Sequence, residues 1–249
     1  VILCVDIGNT SIKLARVANR RARDLVVVPG GAGAAELSRA VARASRGGVS
    51  GAAVASVRPA STAAVRALLR RELGIEPLIV TSRVKLPVSI ATRRPERVGV
   101  DRICAATGAL PGRVRHAIIV DAGSAITVDL VLDRRFRGGL IMPGPQMMLS
   151  ALHHFTAQLP ELDWAEVRGD VFDDTAPAMH TGAAVGSAGA VEAAVRLLRT
   201  RAPGIRIPVW LTGGHAKRLR HRLPSGWKYL PNLTLIGLAD IARQNSRAR

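Results

Sequence analysis

Val5-Asp6-Ile7-Gly8-Asn9-Thr10 and Val120-Asp121-Ala122-Gly123-Ser124-Ala125 are two copies of one phrase. Each follows β-forming residues, Val1 to Val5 and Ala117 to Val120. Each leads into another apolar run with partial alternation, Ile12 to Val17 and Ile126 to Leu132. That is the pattern of strand, tight glycine turn, strand. An Asp ending a buried strand, beside a Gly that leaves backbone N–H groups uncovered, suits a phosphate with its Mg²⁺. Two such hairpins facing one another would grip a nucleotide between two related domains. The repeat therefore predicts an α/β chain of two similar halves.

The 249 residues, 48% of them hydrophobic, are enough for two cores of roughly 100–130 residues each. No apolar run approaches the ~20 residues of a membrane-spanning helix. The sequence passes straight into the strand carrying Asp6 without a basic leader, so a cytoplasmic location and no membrane contact are expected. Cys4 and Cys104 sit in apolar contexts without metal-type spacing and read as buried thiols.

A net charge of +18 and a pI near 11.7 are compatible with nucleic acid or an acidic surface. The basic residues are spread along the whole chain, however, only four are lysines, and aromatic residues make up 3%. Few stacking platforms remain for single strands, which argues against specific nucleic-acid recognition. The arginine runs at 20–23, 93–97 and 218–222 read as solvated faces.

Between the hairpins, Ala34 to Ser45 has helical spacing. Ser61 is placed to cap a helix whose Val65, Leu68, Leu69 and Leu73 share a face and which stops at Gly74. Ala52 to Val57 and Pro77 to Val80 read as strands. The second half repeats the plan with a strand at Gly139 to Met142, helices at Met147 to Gln158 and Thr181 to Thr200, a strand at Val209 to Thr212 and a closing helix at Leu235 to Arg243. A hinge near Pro111-Gly112-Arg113 divides the expected domains, 1–112 and 113–249, and the basic tail after Gln244 is expected to fray.

Three further motifs carry chemistry. In Gly99-Val100-Asp101-Arg102 a carboxylate could accept a proton from a substrate hydroxyl while Arg102 forks onto an anion. An Asp that only complements a helix dipole fits the same spacing. In Leu211-Thr212-Gly213-Gly214-His215-Ala216 the paired glycines would let backbone lie against a purine or ribose, and a plain strand-to-helix turn fits too. Gly138 to Gly144 would permit close packing, and the stripe Met148, Leu149, Leu152 beyond it reads as core or subunit contact. His153 and His154 occupy adjacent helical positions and point to different faces, so they are not read as a metal or catalytic pair. The sequence holds no P-loop, no G-x-G-x-x-G and no G-x-S-x-G.

The ordered set Asp6 to Lys13, Gly99 to Arg102, Asp121 to Thr127, Gly138 to Gly144, Thr156-Ala157-Gln158-Leu159-Pro160 and Leu211 to Ala216 resembles the type III pantothenate kinases. Single pieces are weak, because D-x-G-x-T marks the whole actin and sugar-kinase superfamily. The resemblance spans Asp6 to Leu238. It implies two tandem ribonuclease-H-like domains with a cleft between them, in which Asp6, Asp101 and Asp121 converge.

The resemblance also implies ATP-dependent phosphorylation of the pantothenate 4′-hydroxyl, the entry step to coenzyme A, by a homodimer. By that analogy Asp6, Ile7, Gly8, Asn9, Thr10, Ser11, Ile12 and Lys13 cradle the ATP phosphates and Mg²⁺, and Ser124 contacts ATP. Asp101 is the general base. Gly99, Val100 and Arg102 line the pantothenate site, with Arg102 on its carboxylate, together with Thr92. Thr175 contacts pantothenate from the facing subunit or helix region, and Asp121 holds a monovalent cation, K⁺ or NH₄⁺. Ser124 stands where the family usually has Thr, Thr92 where many members have Tyr, and Asp174-Thr175 where Asn-Thr is commoner. A kinase for another small hydroxylated substrate and a non-catalytic accessory or regulatory protein on this fold are the alternatives.

Overall fold

The computed structural model describes residues 1–164 and 173–246. Hairpin-connected strands β1 (Ile2–Ile7), β2 (Ser11–Ala18) and β3 (Arg21–Pro29) are followed by α1 (Ala34–Ala44), β4 (Gly51–Ser56), α2 (Pro59–Leu73) and β5 (Leu78–Ile79). After β6 (Ser89–Ile90) and α3 (Val100–Gly108) the plan recurs. Strands β7 (Ala117–Ala122), β8 (Ala125–Leu132) and β9 (Arg135–Pro143) precede α4 (Pro145–Phe155) and α5 (Thr175–Arg199). Then come β10 (Val209–Thr212), α6 (Ala216–Leu219), β11 (Lys228–Tyr229) and α7 (Leu233–Ser246).

The repeat is topological as well as local. One sheet runs β3-β2-β1-β4-β5 and the other β11-β10-β7-β8-β9-β6, so β1 to β5 and β7 to β11 share one order, the second sheet gaining β6 beside β9. In the first sheet β1 to β3 are antiparallel and β4 and β5 add in parallel. Both copies join their second and third strands through two residues with positive φ, Asn19-Arg20 and Asp133-Arg134, the turn whose twist matches a hairpin.

Two compact units share the chain. The first comprises Val1–His116, Val131–Gly138 and Asn232–Arg249, and the second Ala117–Leu130 and Gly139–Pro231. They differ from a single cut at 112/113, because α7 packs on α3 in the first unit. A Cβ at Gly237 would stand 1.8 Å from the Cys104 carbonyl oxygen, so only glycine permits this approach.

Strand alternation sets the two faces of the first sheet. Leu3, Val5 and Ile7 join Ile12, Leu14, Leu37, Val41, Val65 and Leu69 on the α1–α2 side. Cys4 joins Ala15, Val17, Ala53, Cys104, Leu235, Leu238 and Ile241 on the α3–α7 side.

Several local expectations need correction. Ser61 does not cap α2: Pro59 occupies the first helical position, and Ser56 Oγ accepts the Arg58 N–H at 2.9 Å just before it. Gly74 does end that helix, with φ 65°. Helix α5 starts earlier than Thr181, at Thr175, where the Asp174 side chain accepts the Thr175 N–H. Asn245 and Ser246 continue α7, with Asn245 Oδ1 accepting the Lys85 N–H at 3.2 Å. The rest of the expected frayed tail, 247–249, lies outside the described residues.

The arginine runs are not simply solvated. Arg20 is half-buried and binds the Asp240 carboxylate and the Gly108 carbonyl. Arg218 donates to the Trp164 carbonyl, and the Arg220 guanidinium lies 5.4 Å from the centre of the Tyr229 ring.

Candidate active site

In the first unit, β1 and β2 are paired with Asp6 directly opposite Lys13 and Ile7 opposite Ile12. Gly8, Asn9 and Thr10 make the turn, where the Gly8 N–H donates to the Ser11 carbonyl at 3.0 Å. Asp6 lies two residues beyond Cys4 on β1 and therefore shares its face. Lys13 shares that face as the cross-strand partner of Asp6. Asp101 lies one helical turn before Cys104 on α3, the helix that covers the same face. Electrostatics agree, since the Asp6 and Asp101 carboxylates both act on the buried Cys104 thiol. Burial, reinforced by those carboxylates and by Cys4, pushes that thiol well above its usual range. Asp6, Lys13 and Asp101 thus occupy one side of one sheet, at the carboxyl end of β1.

Asp101 is anchored by one oxygen. Its Oδ1 accepts the Arg102 backbone N–H at 2.8 Å. Gly99 makes room for it, since a Cβ there would stand 2.4 Å from Oδ1. Val100 opens α3 and packs against the Cys104 cluster. Arg102 lays its guanidinium over the Phe136 ring, 5.4 Å from the centre. It lines a concavity of about 620 Å³ together with Thr92, Arg93, Arg94, Arg97 and Val98. The arginines at 93–97, expected on a solvated face, thus surround a depression.

In the second unit, β7 ends at Asp121-Ala122 and Gly123-Ser124 makes a turn one residue shorter than its counterpart, the Gly123 N–H donating to the Ala125 carbonyl at 3.1 Å. Thr212 of β10 pairs with Asp121 in parallel, and the His215 N–H donates to the Ala122 carbonyl at 2.8 Å. The expected adenosine loop, Gly213 and Gly214, therefore abuts the expected cation and phosphate turn, Asp121 to Ser124. Thr175 lies elsewhere in this unit, on an apolar groove of about 1010 Å³ with Met147, Leu152, Phe155 and Met179. The groove's rim is open, with Phe155 81% exposed.

A second repeated signal goes unread in the sequence analysis: Pro29-Gly30 and Pro143-Gly144, each with its proline ending a third strand and its glycine following it. The Gly30 N–H donates to Thr10 O at 2.8 Å and the Gly144 N–H to Ser124 O at 3.1 Å. A Cβ on either would come within 2.5 Å of a turn carbonyl, Asn9 or Gly123. Each glycine pins its own hairpin turn, and comparing the third strands of the two copies would have found them. Asp129 also goes unread. It is 1% exposed on β8, and a Cβ at Gly139 would stand 2.6 Å from its Oδ1.

His153 and His154 make no metal pair. His153 Nδ1 contacts the Leu159 carbonyl at 2.8 Å, and the His154 ring meets Phe155 edge-on. Among the described residues no group of three or more His, Cys, Asp or Glu is placed to hold a metal by itself. Cys4 and Cys104 are free, buried thiols.

The chain is similar in sequence and in fold to known proteins. The family model for type III pantothenate kinase matches residues 2–197. Type III pantothenate kinase from Caulobacter vibrioides is 32% identical over 198 residues, 78% of this chain and 76% of that protein. The one from Nitrosococcus oceani is 31% identical over 100% of this chain and 96% of its own. Among solved structures, a ROK family glucokinase from Streptomyces griseus, in complex with glucose and AMPPNP, aligns with a TM-score of 0.55 at 14% identity. The alignment covers 98% of this chain and 99% of that one, and it identifies the actin and sugar-kinase-like fold. With its ordered motifs carried on that fold, this chain belongs to the type III pantothenate kinase family.

Proposed function

We propose that this protein transfers the γ-phosphoryl of ATP to the 4′-hydroxyl of pantothenate, the entry step to coenzyme A, in the cytoplasm and as a homodimer. The observation that carries the reading is the shared face of Asp6, Lys13 and Asp101 in a chain of this family.

Phosphoryl transfer asks a protein for charge neutralisation and in-line positioning more than for covalent help. The donor set fits. With the Gly8 N–H taken by the Ser11 carbonyl, the turn residues beyond Gly8 would offer backbone N–H groups, and Lys13 a cation, to phosphate oxygens. Asp6 supplies the hard carboxylate oxygen that Mg²⁺ prefers. Mg²⁺, when bound with ATP, supplies neutralisation of the β- and γ-phosphate charge. In the second copy, Ser124 offers its hydroxyl to ATP and Asp121 an oxygen ligand for K⁺ or NH₄⁺.

Asp101 acts as the general base. The Arg102 N–H holds Oδ1, and Oδ2 is left to accept the proton of the substrate hydroxyl. Arg102, stacked on Phe136, presents its planar fork to the pantothenate carboxylate, a match a lysine would not reproduce. Thr92 Oγ1 is buried and has no hydrogen-bond partner among the described residues, so a polar substrate atom would satisfy it. Gly99 and Val100 form the backbone wall beside it.

The apolar rim of the groove, with Phe155, Met147 and Leu152 exposed, suits burial against a second copy, which would carry Thr175 to the facing subunit's substrate. Incubation with MgATP and pantothenate, followed by mass detection of a singly phosphorylated pantothenate, tests the reaction. Absence of that product from folded protein contradicts it. Sedimentation separately tests the dimer.

A further inference from the structure

We propose that the concavity lined by Thr92, Arg93, Arg94, Arg97 and Arg102 binds a phosphate dianion. Occupancy would compete with the acid end of the substrate for Arg102, and this competition clause alone rests on the pantothenate reading.

Four guanidinium groups border one depression of about 620 Å³. Among the described residues no carboxylate forms a salt bridge with Arg93, Arg94 or Arg97. Glu96, the carboxylate in their own segment, also makes no such pair. Arg93, Arg94 and Arg97, like charges gathered with no salt-bridge partner among the described residues, repel one another and raise the local concentration of anions. The Thr92 hydroxyl oxygen is buried in the same place with no partner among the described residues, a donor whose desolvation is uncompensated until something accepts from it.

The backbone under these side chains is held rather than loose. Ser89 and Ile90 pair with Arg135 and Phe136, and the Ala91 N–H donates to the Phe136 carbonyl at 2.8 Å. Pro95 opens a 3₁₀ turn in which the Arg97 N–H donates to the Arg94 carbonyl at 3.1 Å. Arg102 is fixed from the other side by the Phe136 ring. A segment pinned at both ends fixes the backbone from which these arginines reach, which removes the backbone share of the ordering cost of binding.

The donor count decides the class of ligand. Two forked arginines fill the acceptor sites of a monocarboxylate. Four arginines and a hydroxyl exceed that need and match the oxygens and double charge of a phosphate, to which arginine binds in paired contacts. Free inorganic phosphate and the phosphate of a small monoester share this chemistry.

Titration calorimetry on the full chain at low ionic strength tests the site, with inorganic phosphate in one arm and glycerol phosphate in the other. The expected result is saturable one-to-one binding that weakens with added NaCl, and at least tenfold in the Arg93→Gln/Arg94→Gln variant. Both arginines are exposed, so the variant should fold, and Arg97→Gln alone provides a second reading. The stronger arm identifies the source as free or esterified phosphate. No saturable binding by the native chain, or equal affinity in the variants, would overturn the proposal. In kinetics, phosphate should raise KM for pantothenate without lowering kcat, and the double variant should lose this effect. Binding without any pantothenate turnover would leave the anion site standing and remove the kinase reading; turnover without phosphate binding would do the reverse.

Discussion

Gly213 lies directly against Asp121. With φ at +102°, its Cα leaves so little space that a Cβ would stand 2.5 Å from the carboxylate Oδ1 and 2.4 Å from the Ala122 carbonyl oxygen. Gly213→Ala therefore combines a backbone conformation that L residues rarely adopt with a clash against the strand end carrying Asp121. We expect a loss of about 2–4 kcal/mol, seen as a fall of several degrees in Tm. The K⁺ or NH₄⁺ concentration for half-maximal turnover should also rise, because the displaced group is the proposed cation ligand. A variant with native Tm and native cation response would refute the link between this loop and Asp121.

Gly99→Ala should disturb Asp101, the proposed base, without removing it. A Cβ would stand 2.4 Å from Asp101 Oδ1, so the carboxylate must rotate away from the Arg102 N–H. Because a misplaced catalytic group costs around 10²-fold, we expect kcat to drop by roughly that factor. Tm should change little, since both residues are only partly buried. Parallel measurement of kcat and Tm decides the matter: a large Tm loss with unchanged kcat would contradict the assigned role.

Gly237→Ala addresses the fold rather than the site. A Cβ at Gly237 would be 1.8 Å from the Cys104 carbonyl oxygen and 2.7 Å from the Gly108 nitrogen, so α7 must move off α3. We expect destabilisation of about 3 kcal/mol or more, measured by urea unfolding. Stability within 1 kcal/mol of native would mean that this packing is wrong.

The two thiols give a pH signature with a definite sign. Burial pushes both Cys4 and Cys104 upward, so the folded chain keeps protons that the unfolded chain releases above about pH 8.5. Stability should be flat below that value and fall above it, by at most about 1.4 kcal/mol per pH unit per thiol. Cys4→Ala should reduce the slope. Both thiols should resist alkylation at pH 8 until the chain is unfolded. Rapid labelling of native protein would contradict their burial.

The parts of the chain that were legible were those whose residues carry both pattern and chemistry. The two hairpins announced themselves because Asp6 and Asp121 interrupt buried apolar strands beside a glycine. Strand β3 stayed hidden because it lies at a sheet edge with a charged first half, Arg21-Ala22-Arg23-Asp24, and of its residues Val26 and Val28 are the fully buried ones. The glycines Gly30 and Gly144 look like ordinary post-strand turn residues until their contact with the preceding hairpin is seen. The arginines at 93–97 read as a solvated run, because their meeting round one depression depends on the pairing of β6 with β9, two residues long and 46 positions apart in register. Arg20 was misread for a similar reason, since its partner Asp240 lies 220 residues away.

The central claim is that Asp101 is the base for a pantothenate hydroxyl. It is tested most directly by ADP release from MgATP in K⁺ buffer, with pantothenate added or withheld, in the native chain and in Asp101→Asn. The account predicts pantothenate-dependent turnover that falls by about 10²–10⁴-fold in the variant, with Tm preserved. Pantothenate-dependent turnover that survives in Asp101→Asn would contradict the assignment of the base, and folded native protein with no pantothenate response would contradict the reaction itself.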